Sequence, residues 1–397
     1  MRRLRRFFST EIYFVTVRTV EQRYALDPFA CPNSWHRADE GPVDLETRRE
    51  MNLLGRECVE TTAELTDEIA RYEQHPDQPC VEVSYETFTD SIPNIIGSVM
   101  ARAIHRYGVK LFGVVWMGNH AHLLLQAPMQ NFADFMCYLN GQIAANVNRY
   151  LGRQHQLWAR RAAVAQVLDE TEELEKLGYI LANPMNAGIA SAVDNWPGLS
   201  SATFFTSGQV QRFLCFDRTS WHKKGRPDNI AAFLSTVELR HELLPQLQGL
   251  GEKERRRLIN KIIKAKTKSS SISKYEREQD SSLSVRTQLV LRAVLPTDRP
   301  ESAKRNPRKR SPQPLCHTTN PLLRKLYKQG YREFRLAYKT ASIEYRKGNT
   351  NVEFPPGAFP PSRFPLAHYA RDPDANPVLH PTRQNLERAA ALVSLLT

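Results

Sequence analysis

The chain has 397 residues, 41% of them hydrophobic, and a formal charge of +13 with a sequence pI near 9.5. That balance excludes general disorder, leaves room for a sizeable core in two expected domains, and points to a polyanionic partner, nucleic acid before an anionic membrane surface. No apolar run approaches the roughly 20 residues that cross a bilayer, which excludes a helical membrane protein.

The start, "MRRLRRFFSTEIYFVTV", has a basic head, but Ser9, Thr10 and Glu11 interrupt any signal-peptide core, so no membrane association and a cytoplasmic location are expected. Cys31, Cys58, Cys80, Cys137, Cys215 and Cys316 are widely spaced with no CxxC, and are read as reduced thiols. "EIYFVTVRTV" (Glu11–Val20) is rich in β-branched and aromatic residues and predicts a first strand. Residues 21–42, with Pro28, Pro32 and Pro42, predict a loop; residues 44–74 have helical spacing at Leu53, Leu54, Val59, Leu65 and Ile69. A short strand over "CVEVSYETF" leads to a helix whose stripe is Ile95, Ile96, Val99, Met100 and Ile104. The stretch 30–90 is read as an insertion.

"VKLFGVVWM" and "HAHLLLQ" are strand-like runs joined at Gly118-Asn119, a hairpin signal. A helix over "NFADFMCYLNGQIAANVNRYLGRQ" follows, then one over "DETEELEKLGYILANPMNAG" that is expected to end or kink near Asn183, before Pro184. The regular pattern fades beyond about residue 220, which sets the expected boundary between a domain of 1–220 and a basic extension of 221–397. Residues 251–310 hold 18 Lys/Arg against 7 Asp/Glu, a net of +11. The stretch of about 268–315 reads as flexible linker. "PLLRKLYKQGYREFRLAYKTASIEYRKG" predicts a basic amphipathic helix with Tyr327, Tyr331, Phe334 and Tyr338 on one packing face, and Pro-rich "FPPGAFPP" a surface strap.

His120 and His122 sit in an apolar run, and positions i and i+2 of a strand share a face. The pair alone is read equally well as two buried, hydrogen-bonded histidines or as half of a metal site. A site needs further donors, and the helix before Pro184 offers Tyr179 and Asn183, four apart and so on one face. A phenol and a carboxamide beside two imidazoles would make a nucleophile and a metal centre.

Four motifs then stand in register. "MGNHAHLLLQ" resembles "MPNHxHLLL" and "YILANPMNAG" resembles "YIHLNPVRAG"; "GRQHQLWARR" is similar to "HLWQxR", and "NWPGLSS" (Asn195–Ser201) to "WPxSS". Together they resemble the HUH single-tyrosine transposases, especially the REP-associated tyrosine transposases, over roughly residues 11–205. The resemblance implies an α+β, ferredoxin-like sandwich with a central antiparallel sheet and flanking helices. It makes His120, His122 and Asn183 metal ligands for Mg²⁺ or Mn²⁺ and Tyr179 the nucleophile. Gly118 stands where the family has proline, and Leu181 and Asn186 replace its usual histidine and arginine.

The implied reaction is a nick in single-stranded DNA near a hairpin, through a 5′-phosphotyrosine link that a 3′-hydroxyl later reverses. Phenolate leaves more readily than an alkoxide, so joining needs no ATP. No general base is legible. Arg149, Arg153, Arg160 and Arg161 flank Trp158, and basic residues around an aromatic suit phosphate contact and base stacking; the rival reading is a core tryptophan with solvated arginines. Expected partners are hairpin or palindromic single-stranded DNA, with the protein a monomer or homodimer. Two alternatives are a catalytically silent or domesticated DNA-binding regulator of the same fold, and a phosphodiesterase using activated water. Intact His120, His122, Tyr179 and Asn183 count against the first, and the lack of a carboxylate-rich set against the second.

Overall fold

The computed structural model describes residues 4–39, 41–75, 81–129, 131–268, 294–300, 314–358 and 368–369. Its centre is a five-stranded sheet. β1 (Ile12–Arg18) lies between β3 (His120–Gln126) and β4 (Ala163–Val167), β2 (Lys110–Trp116) flanks β3, and β7 (Cys316–His317) flanks β4. All pairs are antiparallel except β4 with β7. β2 and β3 form the expected hairpin, closed by Met117 N–H donating to His120 O at 2.7 Å around Gly118-Asn119. The expected α+β class with a central, mostly antiparallel sheet is what the structure shows.

Period-two alternation divides the sheet's side chains between two cores. Tyr13, Val15, Val17, Ala121, Leu123 and Leu125 face one layer, made by α3 (Ile92–Tyr107) and α4 (Phe132–Leu151). Ile12, Phe112, Val115 and Leu124 face the other, made by α5 (Glu170–Asn186) with Leu177, Ile180 and Leu181. At the register shift in β2, Gly113 leaves room for α5: a Cβ there would stand 2.9 Å from Leu177 Cδ1.

Four expectations are corrected. The 21–42 loop contains α1 (Ser34–Asp39) and a single 3₁₀ turn at Val20–Gln22. The expected strand over Cys80–Phe88 does not form in its described part, which is a turn tied down by Tyr85 N–H donating to Asp228 O (2.8 Å) and a bridge from Ser84 to Asn229. α5 passes through Pro184 to Asn186, because so near the end proline removes a single bond and the helix closes within a turn, Ala187 N–H reaching Asn183 O. β4, unexpected, is only Ala-Val-Ala-Gln-Val, yet it carries the inner edge of β7.

The predicted helix 44–74 is α2 (Leu45–Gln74), with the Asp44 carboxylate accepting from Thr47 N–H. Beyond it, α6 (Ala202–Ser207), β5 (Gln211–Phe216), α7 (Arg218–Lys223), β6 (Leu234–Leu239), α8 (Pro245–Gln248) and α9 (Glu252–Lys268) follow. The boundary expected at residue 220 falls between β5 and β6, which pair with each other along their whole length. α9 packs on α5, with Ile259 and Ile263 in the core beside Leu177 and Ile180, and Lys266 paired with Glu175. A hydrophobic pattern read one helix at a time does not reveal such partners.

Of the expected linker 268–315, residues 294–300 dock: Leu295 is buried with Cys31 and Met51, and Asp298 accepts from Arg48 at 2.7 Å. Residues 269–293 and 301–313 lie outside the described residues. The basic helix forms as α10 (Pro321–Arg346), with Tyr327, Tyr331 and Phe334 buried against Leu168, as packing residues. Of the strap, Gly357 O accepts from Phe7 N–H at 2.9 Å; residues 359–367 lie outside the described residues. Strands β8 (Glu353–Phe354) and β9 (His368–Tyr369) pair in parallel. No helix among the described residues is long and apolar enough to cross a membrane.

The outer edge of β2 is covered by the "NWPGLSS" segment. Trp116 N–H donates to Leu199 O (2.8 Å), Ser201 N–H to Val114 O (2.9 Å), Val114 N–H to Ser201 Oγ (2.8 Å) and Trp196 Nε1–H to Trp116 O (2.9 Å).

Candidate active site

β3 aims His120 and His122 at the α5 side, on the same parity as Leu124. The ring centroids are 5.0 Å apart at 79°. Register sets their neighbours: Thr16 stands opposite His122, and Arg18 opposite His120. Thr16 Oγ1 is 2.9 Å from His122 Nδ1, and Asn119 Oδ1 is 2.6 Å from His120 Nδ1. Asn119 Nδ2 donates to Gln22 O (3.0 Å), which fixes its amide so that Oδ1 is the acceptor. His120 Nδ1 therefore carries the proton, and Nε2 keeps its lone pair.

α5 supplies the other wall. Its N-cap Asp169 accepts from Glu172 N–H at 2.8 Å, and three glutamates in the first turn suit the positive helix end. Tyr179 is 39% exposed, with its hydroxyl 3.4 Å from His122 Nε2. The His122 ring is thus held between two hydroxyls, Thr16 Oγ1 at Nδ1 and the Tyr179 hydroxyl at Nε2. Asn183, one turn further along the same face, is buried; no hydrogen bond joins its carboxamide to either histidine among the described residues. The structure thus brings His120, His122 and Tyr179 together, with Asn183 adjacent on the tyrosine helix.

Both imidazoles are neutral near pH 7. Burial, then the charge of Arg18, holds His120 down to about 4. Burial, then His120, Arg18 and Lys176, holds His122 down to about 3. Neutral imidazole is the ligating form, and a hydrogen bond to the far nitrogen is the usual means of fixing a ligand's tautomer. The donor chemistry therefore fits a divalent cation held by His120 and His122, with Asn183 within a helical turn of Tyr179. Among the described residues no cluster of three or more His, Cys, Asp or Glu exists.

Residues that the sequence did not flag complete the wall. Phe14 stacks on His122 (5.3 Å, 16°) and meets the rings of Tyr179 (6.0 Å) and His317 (5.5 Å) edge-on. Lys176 lies 5.6 Å from the Phe14 centroid and 2.8 Å from Glu172. Glu172, Lys176, Tyr179 and Asn183 follow helical spacing, a signal the sequence did contain. His317 comes from β7, in the expected extension, and nothing local announced it.

The five residues expected to touch DNA separate. Arg149, Arg160 and Arg161 are exposed. Arg153 is buried, donating to Asn148 Oδ1 (2.8 Å) and Gln156 O (2.5 Å) with its guanidinium 4.6 Å from the Trp35 ring, so its charge serves the turn after α4. Trp158 packs against the α3–α4 core, with Nε1–H donating to Asn140 O at 2.8 Å and its ring 6.1 Å from Trp116. Arg153 is thus corrected to a packing residue, while Trp158 is half-buried with its indole N–H satisfied by the main chain.

Residues 80–183 match the family model described as "Transposase IS200 like". A putative REP-associated tyrosine transposase of Haemophilus influenzae is 28% identical over 120 residues, covering 28% of this chain and 68% of that protein. A solved REP-associated tyrosine transposase bound to a REP hairpin is similar over 51% of this chain and 82% of that one, with a TM-score of 0.29 and 12% identity. The segment that carries His120, His122, Tyr179 and Asn183 is thereby similar to the IS200-like transposases and, among them, to a REP-associated tyrosine transposase.

Proposed function

We propose that this protein nicks and rejoins single-stranded DNA beside hairpins, with Tyr179 as nucleophile. The observation that carries the reading is the Tyr179 hydroxyl at 3.4 Å from His122 Nε2, open to solvent beside two neutral imidazoles. The Tyr179 oxygen attacks a backbone phosphorus; its bond to phosphorus forms as the bond to the 3′-oxygen breaks, the phenol proton is lost and the 3′-oxygen leaves as a hydroxyl. The DNA stays linked by a 5′-phosphotyrosine, and attack by a 3′-hydroxyl reverses the step. His120, His122 and Asn183 would hold Mg²⁺ or Mn²⁺, which supplies charge neutralisation at the scissile phosphate. Asn119 keeps the His120 imidazole in one tautomer, and Thr16 holds the orientation of the His122 ring. Phe14 excludes water from the far side of His122, and Lys176 adds positive charge on the tyrosine's own helix face.

Hairpin oligonucleotides with Mn²⁺ are expected to give a covalent protein–DNA adduct on a denaturing gel. Tyr179→Phe is expected to abolish it, and an undiminished adduct in that variant would overturn the assignment. A DNA-binding regulator of the same fold predicts no adduct with any metal and binding that chelator leaves unchanged.

A further inference from the structure

Across the sheet from Tyr179, on the α4 side, this chain builds a second basic surface from parts outside the histidine–tyrosine site. Residues 218–226 read "RTSWHKKGR", with Arg218, Lys223, Lys224 and Arg226 around one tryptophan and no acid. α7 ends in a turn in which Gly225 (φ 82°) and Arg226 (φ 59°) both take the left-handed conformation. Arg226 N–H returns to Trp221 O (3.0 Å), and its Nε donates to His222 Nδ1 (2.8 Å). A non-glycine residue at positive φ is held there at a cost, and the bond to His222 orients the guanidinium.

Trp221 is buried, and its Nε1–H donates to Pro227 O at 2.9 Å. Tyr85 stacks on it at 4.2 Å and 26° yet remains 40% exposed. A tyrosine that rests on a fixed tryptophan and keeps an open side is a preformed stacking platform, with little ordering entropy left to lose. Arg149 from α4, Arg218 and Arg226 line the same cleft, of about 590 Å³. None of the three is in a salt bridge among the described residues. Burial, then the nearby Arg149, lowers the pKa of Arg218, against the opposing charge of Asp90 and a hydrogen bond with Tyr85, so two cations lie close together there. Of the acids on the rim, Asp228 accepts from Ser84 Oγ at 2.8 Å and Glu86 is exposed.

We propose that this cleft is a second single-strand binding site, in which Tyr85 stacks an unpaired base while Arg149, Arg218 and Arg226 take the flanking phosphates. Only the choice of ligand rests on the proposed function; the site needs neither Tyr179 nor a metal. A strand that bridges it to Tyr179 passes around the sheet, so the cleft selects substrates with single-stranded DNA flanking the reacting phosphate.

The test uses the full chain carrying Tyr179→Phe, in chelator, with a fluorescent oligothymidylate containing 5-iodouracil. Crosslinking followed by peptide mass spectrometry is expected to label the peptide that holds Tyr85 or Trp221. Tyr85→Ala is expected to weaken binding about tenfold and lose that label, while Tyr85→Phe, which keeps the ring, retains both. Arg218→Gln with Arg226→Gln is expected to lower the slope of log K against log salt by about 1.4. Crosslinks confined to other peptides, with affinity and salt slope unchanged in every variant, would overturn the proposal. Absence of an adduct in the Tyr179 assay bears on the chemistry alone.

Discussion

Gly178, immediately before Tyr179, is where the downstream helix α9 touches the tyrosine helix. A Cβ at Gly178 would lie 2.3 Å from Ile262 Cγ2 and 3.3 Å from Lys266 Cγ. The lysine stem swings aside easily; the isoleucine methyl sits on a β-branched, stiff side chain. In a free helix Gly→Ala gains about 1 kcal/mol, whereas forcing a methyl into an occupied contact costs about 1–3 kcal/mol. The balance for Gly178→Ala is a loss of up to about 2 kcal/mol or, for a chain of 397 residues, a fall in Tm of up to about 2 °C. Urea unfolding followed by far-UV circular dichroism measures it. In an Ile262→Ala background the clash is gone, and the same change is expected to turn stabilising by about 1 kcal/mol. If Gly178→Ala raises stability in the wild-type background, α9 does not pack on α5 as described.

Thr16→Val removes the hydroxyl at His122 Nδ1 while keeping the shape, and Mn²⁺ affinity measured by titration calorimetry is expected to fall about 10–100-fold. His241, whose Nε2 accepts from Ser201 Oγ at 2.8 Å, is held by burial down to about 4. Its folded pKa is depressed, so its contribution is present above about pH 6.5 and lost as pH falls toward 4. Discounted for residual exposure, that share is about 2 kcal/mol, and His241→Gln is expected to flatten the acid limb of stability against pH by that amount; identical limbs would refute it. Arg153→Met is expected to cost about 2 kcal/mol in urea unfolding and leave oligonucleotide affinity of the folded protein unchanged.

The hairpin and the flanking helices were legible because each rests on a local period, two in β3 and about 3.6 in α3, α4 and α5, whereas the pairing of the histidines with Tyr179 was implied by the motif resemblance. Thr16 and Phe14 were hidden, since register between β1 and β3, residues far apart in the chain, decides that they meet His122. β7 is two residues long and has no period at all, so His317 was out of reach. Arg153 misled for a different reason: an arginine beside a tryptophan reads the same whether it faces solvent or packs under a turn. Tyr85 was taken for part of a strand, because an alternating run says nothing of whether a partner strand exists.

The two covers on the central sheet carry a consequence for any shortened form of this protein. β2 is closed by residues 196–201 and β4, in part, by Cys316 and His317. A fragment trimmed to the 80–183 segment plus β1 keeps every residue proposed for the chemistry but exposes two rows of unpaired amides and carbonyls, a template for pairing with other copies. Such a fragment is expected to clump rather than work. The smallest tractable version is therefore set by sheet closure, and extends well past the last catalytic residue.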